Sequence, residues 1–94
     1  MDRKEDMSII SLLTRSKKRF KVLKSLEKEN KIPSKISKDI DDNSNHVSKY
    51  LKTLKEAKLV KCLNEEDKRY RFYAITDKGK YYLDKIEHEY KDQK

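Results

Sequence analysis

The chain has 94 residues and a formal net charge of +8, with 45% of its residues charged and 34% hydrophobic. That length carries one small domain, 1–94, around one core, and it holds no apolar run that approaches a membrane span. A single cysteine, Cys62, excludes an internal disulfide framework and fits a reducing compartment. The opening residues show no signal-peptide pattern, so a cytoplasmic location is expected. The basic excess is +4 over residues 1–30 and +4 over 31–63, while 64–94 is balanced. A surface laced with both charges would not concentrate the excess this way, and a localised excess favours an anionic partner.

In chain order, residues 1–7 are polar. Ser8 to Leu13 (SIISLL) reads as a short apolar stretch of helix, and Arg15 to Arg19 is a basic run. Ser16 can cap a second helical stretch whose buried side is Phe20, Leu23 and Leu26. The two stretches read equally as one bent helix or two. Pro33 suits the first position of the next helix, a short one with Ile36 and Ile40 inward. Asp41 to Asn45 (DDNSN) is rich in turn formers.

Asn43 is a good N-cap for the helix that follows, about 44–57. Val47, Tyr50, Leu51 and Leu54 form its apolar stripe. Asn45, Ser48, Lys49 and Lys52 fall opposite, and no acidic residue joins that face before Glu56. Short amide and hydroxyl groups reach base edges in a DNA groove, and lysines meet phosphates. A short helix, a turn and a longer helix with a polar outer face make a helix-turn-helix.

After Lys58 the segment LVKCLN alternates as a strand does. EEDKR forms a polar tip, and YRFYAIT is rich in β-formers, with Tyr70, Phe72 and Ala74 expected on one face. A hairpin over about 59–75, set directly after a helix-turn-helix, is a wing. Thr76 caps a last helix carrying Tyr82, Leu83, Ile86 and Tyr90. The expected fold is mainly α with a small β-hairpin (α+β), a winged helix-turn-helix.

The blocks IPSKISKDI, SNHVSKYLKTLKEAKLVKCL and RYRFYAITDKGKYYL, in this order, resemble the winged helix-turn-helix regulators of the ArsR and MarR type, most of all small prokaryotic, often archaeal, versions. The resemblance covers roughly Phe20 to Leu83. It implies a sequence-specific DNA-binding transcription regulator, usually a homodimer, acting on double-stranded DNA. On this docking mode Ser44, Asn45, His46, Ser48 and Lys49 enter the major groove. Lys52 and Lys35 meet phosphate. Lys68, Arg69 and Arg71 on the wing approach the backbone or minor groove, opposed by Glu65, Glu66 and Asp67. One departure concerns the turn, where such proteins usually carry a glycine followed by an apolar residue and this chain has Asp41 and Asp42.

Other chemistries find little footing. ArsR relatives often sense metals through paired cysteines, but Cys62, His46 and His88 show no ligand spacing, so neither a metal nor a cofactor is expected. Cys62 reads as a small buried hydrophobe. With one glycine, Gly79, a phosphate-cradling loop is implausible, and no catalytic residue is assigned. Ile9, Ile10, Leu12 and Leu13 at one end, with Tyr82, Ile86 and Tyr90 at the other, are apolar groups available for a dimer seam. The rival reading is a winged-helix protein-interaction module in a larger nucleic-acid-processing assembly.

Overall fold

The computed structural model describes residues 3–89. Five helices and a two-stranded antiparallel hairpin follow one another: α1 Arg3–Thr14, α2 Lys17–Ser25, α3 Pro33–Ile40, α4 Ser44–Glu56, β1 Val60–Cys62, β2 Tyr73–Ile75 and α5 Asp77–Glu89. The apolar opening and the second stretch are separate helices, broken at Arg15 and Ser16. The break falls there because the Ser16 side chain accepts the Arg19 N–H at 3.2 Å and starts a new helix.

One core holds the elements together. It joins Ile9 and Leu13 of α1, Val22, Leu23 and Leu26 of the α2 segment, and Ile36 and Ile40 of α3. Val47, Leu51 and Leu54 of α4, Leu59 and Val60, and Tyr82, Leu83 and Ile86 of α5 complete it. Tyr82 is completely buried, and its hydroxyl bonds Asp6 of α1. Burial, helped by that carboxylate, raises its pKa far above the ordinary phenol value.

This packing bears on the residues named for a seam. Ile9, Leu13, Tyr82 and Ile86 are not spare: the chain closes α1 and α5 onto its own α2 and buries them. A chain with so few apolar residues needs these for its single core. Ile10 and Leu12 stay half-buried at its edge, and Tyr90 lies outside the described residues.

The helix ends are set by short-range chemistry. Pro33 opens α3. α4 closes with Lys58 in the left-handed region at φ 65°, its N–H bonded to Lys55 O and the next N–H, of Leu59, to Leu54 O; the paired bonds make a Schellman ending without its usual glycine. Thr76 caps α5 as expected, its Oγ1 accepting the Gly79 N–H at 3.0 Å and donating to Lys58 O at 2.7 Å. The glycine itself is needed because a Cβ there would lie 2.2 Å from Leu59 O. Only a bare backbone lets α5 approach the root of the wing so closely.

The hairpin is shorter than expected. Val60 pairs with Ile75, Lys61 with Ala74 and Cys62 with Tyr73, and Lys31 adds a one-residue bridge on the far side of Tyr73. Tyr70 and Phe72 do not join Ala74 in burial: they are 58% and 44% exposed. Tyr70 to Phe72 leave the regular ladder because Asn64 occupies their backbone, Nδ2 donating to Tyr70 O and Oδ1 accepting the Phe72 N–H, each at 2.7 Å. Cys62 is half-buried rather than sealed in the core.

Candidate nucleic-acid interface

The outer surface of α4 is the centre of the site. Val47, Leu51 and Leu54 are buried and fix the helix by its inner face. Ser44, Asn45, His46, Ser48, Lys49 and Lys52 are all exposed on the outside, as are Lys35 on α3 and Lys68, Arg69 and Arg71 on the wing. Among the described residues no ion pair or hydrogen bond engages the side chains of Asn45, Ser48, Lys49 or Lys52, so these groups are available to an external partner.

The turn ahead of α4 is strongly tied. Asp41 sits in the left-handed region, φ 56° and ψ 56°, at the place where relatives of the resembled type have glycine. Aspartate tolerates this conformation better than most residues. Asp42 N donates to Ser37 O at 3.1 Å, and Ser37 Oγ donates to Asp42 O at 2.8 Å. Lys18 reaches across from α2 and donates to Ile40 O and Asp41 O at 3.1 and 3.2 Å. It places a cation on the C-terminal end of α3, where the helix dipole favours one.

Asp42 is not a loose negative charge on this face. Its Oδ1 accepts from His46 Nδ1 at 2.9 Å and from the Asn43 N–H at 2.7 Å. His46, and secondarily the Asn43 N–H, hold its carboxyl below the usual carboxylate range. Because the carboxylate only accepts, this bond requires the tautomer with a hydrogen on Nδ1. Asn43 caps α4 by accepting the His46 N–H at 2.9 Å. His46 is therefore shared between the exposed face and the architecture of the turn.

The wing is organised by its own polar atoms. Asp67 accepts the N–H groups of Tyr70 and Arg69, which lower its pKa. Arg71 Nε donates to Asp67 O at 2.9 Å, so this arginine is partly occupied. Glu65 pairs with Lys55 of α4, which holds its carboxyl below the usual range. Two of the three acids expected to oppose a groove are thus engaged internally, and Lys68 and Arg69 stay exposed. Sequence reasoning missed Lys18, Asn64 and the positioning role of Asp42. The turn-forming character of Asn64 and Asp67 was a visible signal for the wing; nothing local marked Lys18.

The model of the winged helix-turn-helix family matches residues 14–94. The chain belongs to the winged helix-turn-helix family. No curated protein matches the sequence. Solved structures share this fold. A MarR family regulator from Neisseria meningitidis, NMB1585, is similar at 27% identity and TM-score 0.64, over 81% of this chain and 57% of that one. The chain thus spans little more than half of that regulator. The homodimeric winged helix-turn-helix DNA-binding domain of Mb0332 from Mycobacterium bovis, a possible ArsR-family transcriptional regulator, is similar at 17% identity and TM-score 0.68, over 96% and 94%. MepR of S. aureus, in its complex with DNA, is similar at 18% and TM-score 0.68, over 96% and 81%. Among the described residues no group of histidine, cysteine and carboxylate side chains is placed to hold a metal ion, and no helix is long and apolar enough to cross a membrane.

Proposed function

We propose that this winged helix is a sequence-specific, double-stranded-DNA-binding transcription regulator that works as a homodimer, without catalytic activity. The observation that carries the reading is the outer face of α4: Asn45, Ser48, Lys49 and Lys52 are exposed and unengaged, on a helix locked from beneath and behind. Asn45 reads a base edge and Ser44, His46, Ser48 and Lys49 line the groove, while Lys35 and Lys52 hold phosphates. Lys68 and Arg69 bring the wing to the flanking backbone. The fold likeness to MepR, solved with DNA, supports this docking, and the likeness to the homodimeric Mb0332 domain supports pairing. Pairing draws on what α1 and α5 leave outside the chain's own core: Met7 and Tyr81, which are exposed, with the half-buried Ile10.

Duplex binding measured by fluorescence anisotropy across a salt series tests this reading. A dimer that neutralises roughly six to ten phosphates loses about 10³- to 10⁵-fold in affinity between 50 and 200 mM salt. A flat salt response contradicts it. The rival, a protein-interaction module, draws on the exposed Leu63, Tyr70 and Phe72 of the wing; absence of any mobility shift with random duplex would favour that rival.

A further inference from the structure

At the junction of α1 and α2, Ser8, Ser11, Leu12, Arg15 and Arg19 line a cleft of about 570 Å³. Four of these five side chains are hydrogen-bond donors, and no carboxylate lines the cleft. Ser8, Ser11 and Arg15 follow one another at spacings of three and four, so they share a face at the end of α1. The Arg15 side chain is exposed and has no hydrogen-bond or ion-pair partner among the described residues.

Arg19 is the less ordinary member. One terminal nitrogen donates to Leu12 O at 2.6 Å, but its Nε is sealed from solvent with no acceptor. A buried donor left unmade carries a desolvation cost that native structures rarely retain without a use for the group. Two guanidinium groups and two hydroxyls around a space with no counter-charge make a setting for a tetrahedral oxyanion, which guanidinium binds in a two-pronged manner.

We propose that this cleft binds the phosphate group of a small phosphorylated ligand, with the exposed Arg15 as the charged prong, Arg19 adding its charge from the cleft wall and Ser8 and Ser11 as further donors. The cleft exceeds what a bare phosphate fills and falls within the range of small-molecule sites, so the phosphate is carried on an organic group that rests by Leu12. Arg19 also borders the DNA-facing helix. Burial raises the Tyr50 phenol pKa, Asp42 adds to the rise, and the Arg19 charge opposes it. The Tyr50 hydroxyl lies 3.5 Å from Asp42, the residue that holds His46.

Titration of the isotope-labelled, DNA-free protein with inorganic phosphate, against chloride at matched ionic strength, tests the site whether or not duplex binds. Saturable shifts confined to the amides of residues 8–19 are expected. Arg15→Gln weakens them by about ten-fold or more, the loss of one charge-assisted hydrogen bond. Arg19→Gln risks the α1–α2 junction, so Ser11→Ala provides the second variant, with circular dichroism as the check on folding. Linear shifts shared equally with the amides around Lys49 and Lys52 overturn the proposal. The backbone phosphate of DNA is the other source of the same chemistry. Unchanged duplex affinity of Arg15→Gln in phosphate-free buffer supports a free ligand, and a matching loss of duplex affinity overturns the free-ligand assignment.

Discussion

The two segments offered to DNA are held in unlike ways. α4 is fixed through three buried side chains, Val47, Leu51 and Leu54, and through a turn clamped by Lys18, Ser37 and Asp42. The wing beyond β1 and β2 is held by polar bonds from Asn64 and Asp67 within itself and by one exposed ion pair to α4, and its Leu63, Tyr70 and Phe72 are exposed. Reading a base edge needs donors and acceptors held to a few tenths of an ångström, which a packed helix provides. Phosphate contact tolerates looser positioning, which suits a wing. The proposed division of labour rests on this difference in anchoring.

The comparison breaks most visibly in stability. Leu51→Ala removes a side chain sealed in the core and should cost about 2–5 kcal/mol. Phe72→Ala on the wing should stay within about 0.5 kcal/mol, as exposed positions do. Urea unfolding of the two variants checks the contrast, and equal losses would mean that the wing is as well anchored as α4. Next comes Gly79→Ala, whose added Cβ meets the Leu59 carbonyl at 2.2 Å. It should cost about 1–3 kcal/mol by pushing α5 from the root of the wing; a neutral result would show that this contact relaxes freely.

The smallest effect is in acid. Asp42 and Asp67 both have folded-state pKa values below the ordinary one, Asp42 through His46 first and Asp67 through the Tyr70 and Arg69 N–H groups. Between its folded and unfolded pKa values such a group binds more protons in the unfolded chain. The stability it contributes is present above the unfolded value, about pH 4, and is lost as pH falls through the folded one. Asp42→Asn and Asp67→Asn should each flatten the acid limb of a stability–pH curve. Asp42 should do so more, its side chain being only 12% exposed. The reverse order would place the firmer polar network in the wing.

Legibility in the sequence followed range. Ser16, Pro33, Asn43 and Thr76 were readable as helix starts because a cap acts on groups within three residues. The inner stripe of α4 was readable because helical periodicity is local. Lys18 was hidden because its partners lie 22 and 23 positions away. The apolar residues of α1 and α5 were recognisable as buried, but periodicity does not say whose core buries them, and the chain's own core took Ile9, Leu13, Tyr82 and Ile86. Tyr70 and Phe72 have the composition of a strand, yet the side chain of Asn64 outcompeted the ladder for their backbone. Within the candidate site, exposure of the residues chosen on α4 was foreseeable; the second duty of His46 with Asp42 was not, since it depends on the left-handed turn at Asp41.

The central claim is that α4 reads bases while lysines hold the backbone, and a paired measurement of Asn45→Ala and Lys52→Ala tests it most directly. Each variant is titrated against a selected duplex and a random one at fixed salt. Asn45→Ala should lose about 1–3 kcal/mol on the selected site and relax choice at one base position, and Lys52→Ala should weaken both duplexes about equally. If both variants lower selected and random binding by the same factor, α4 does not read sequence and the account fails.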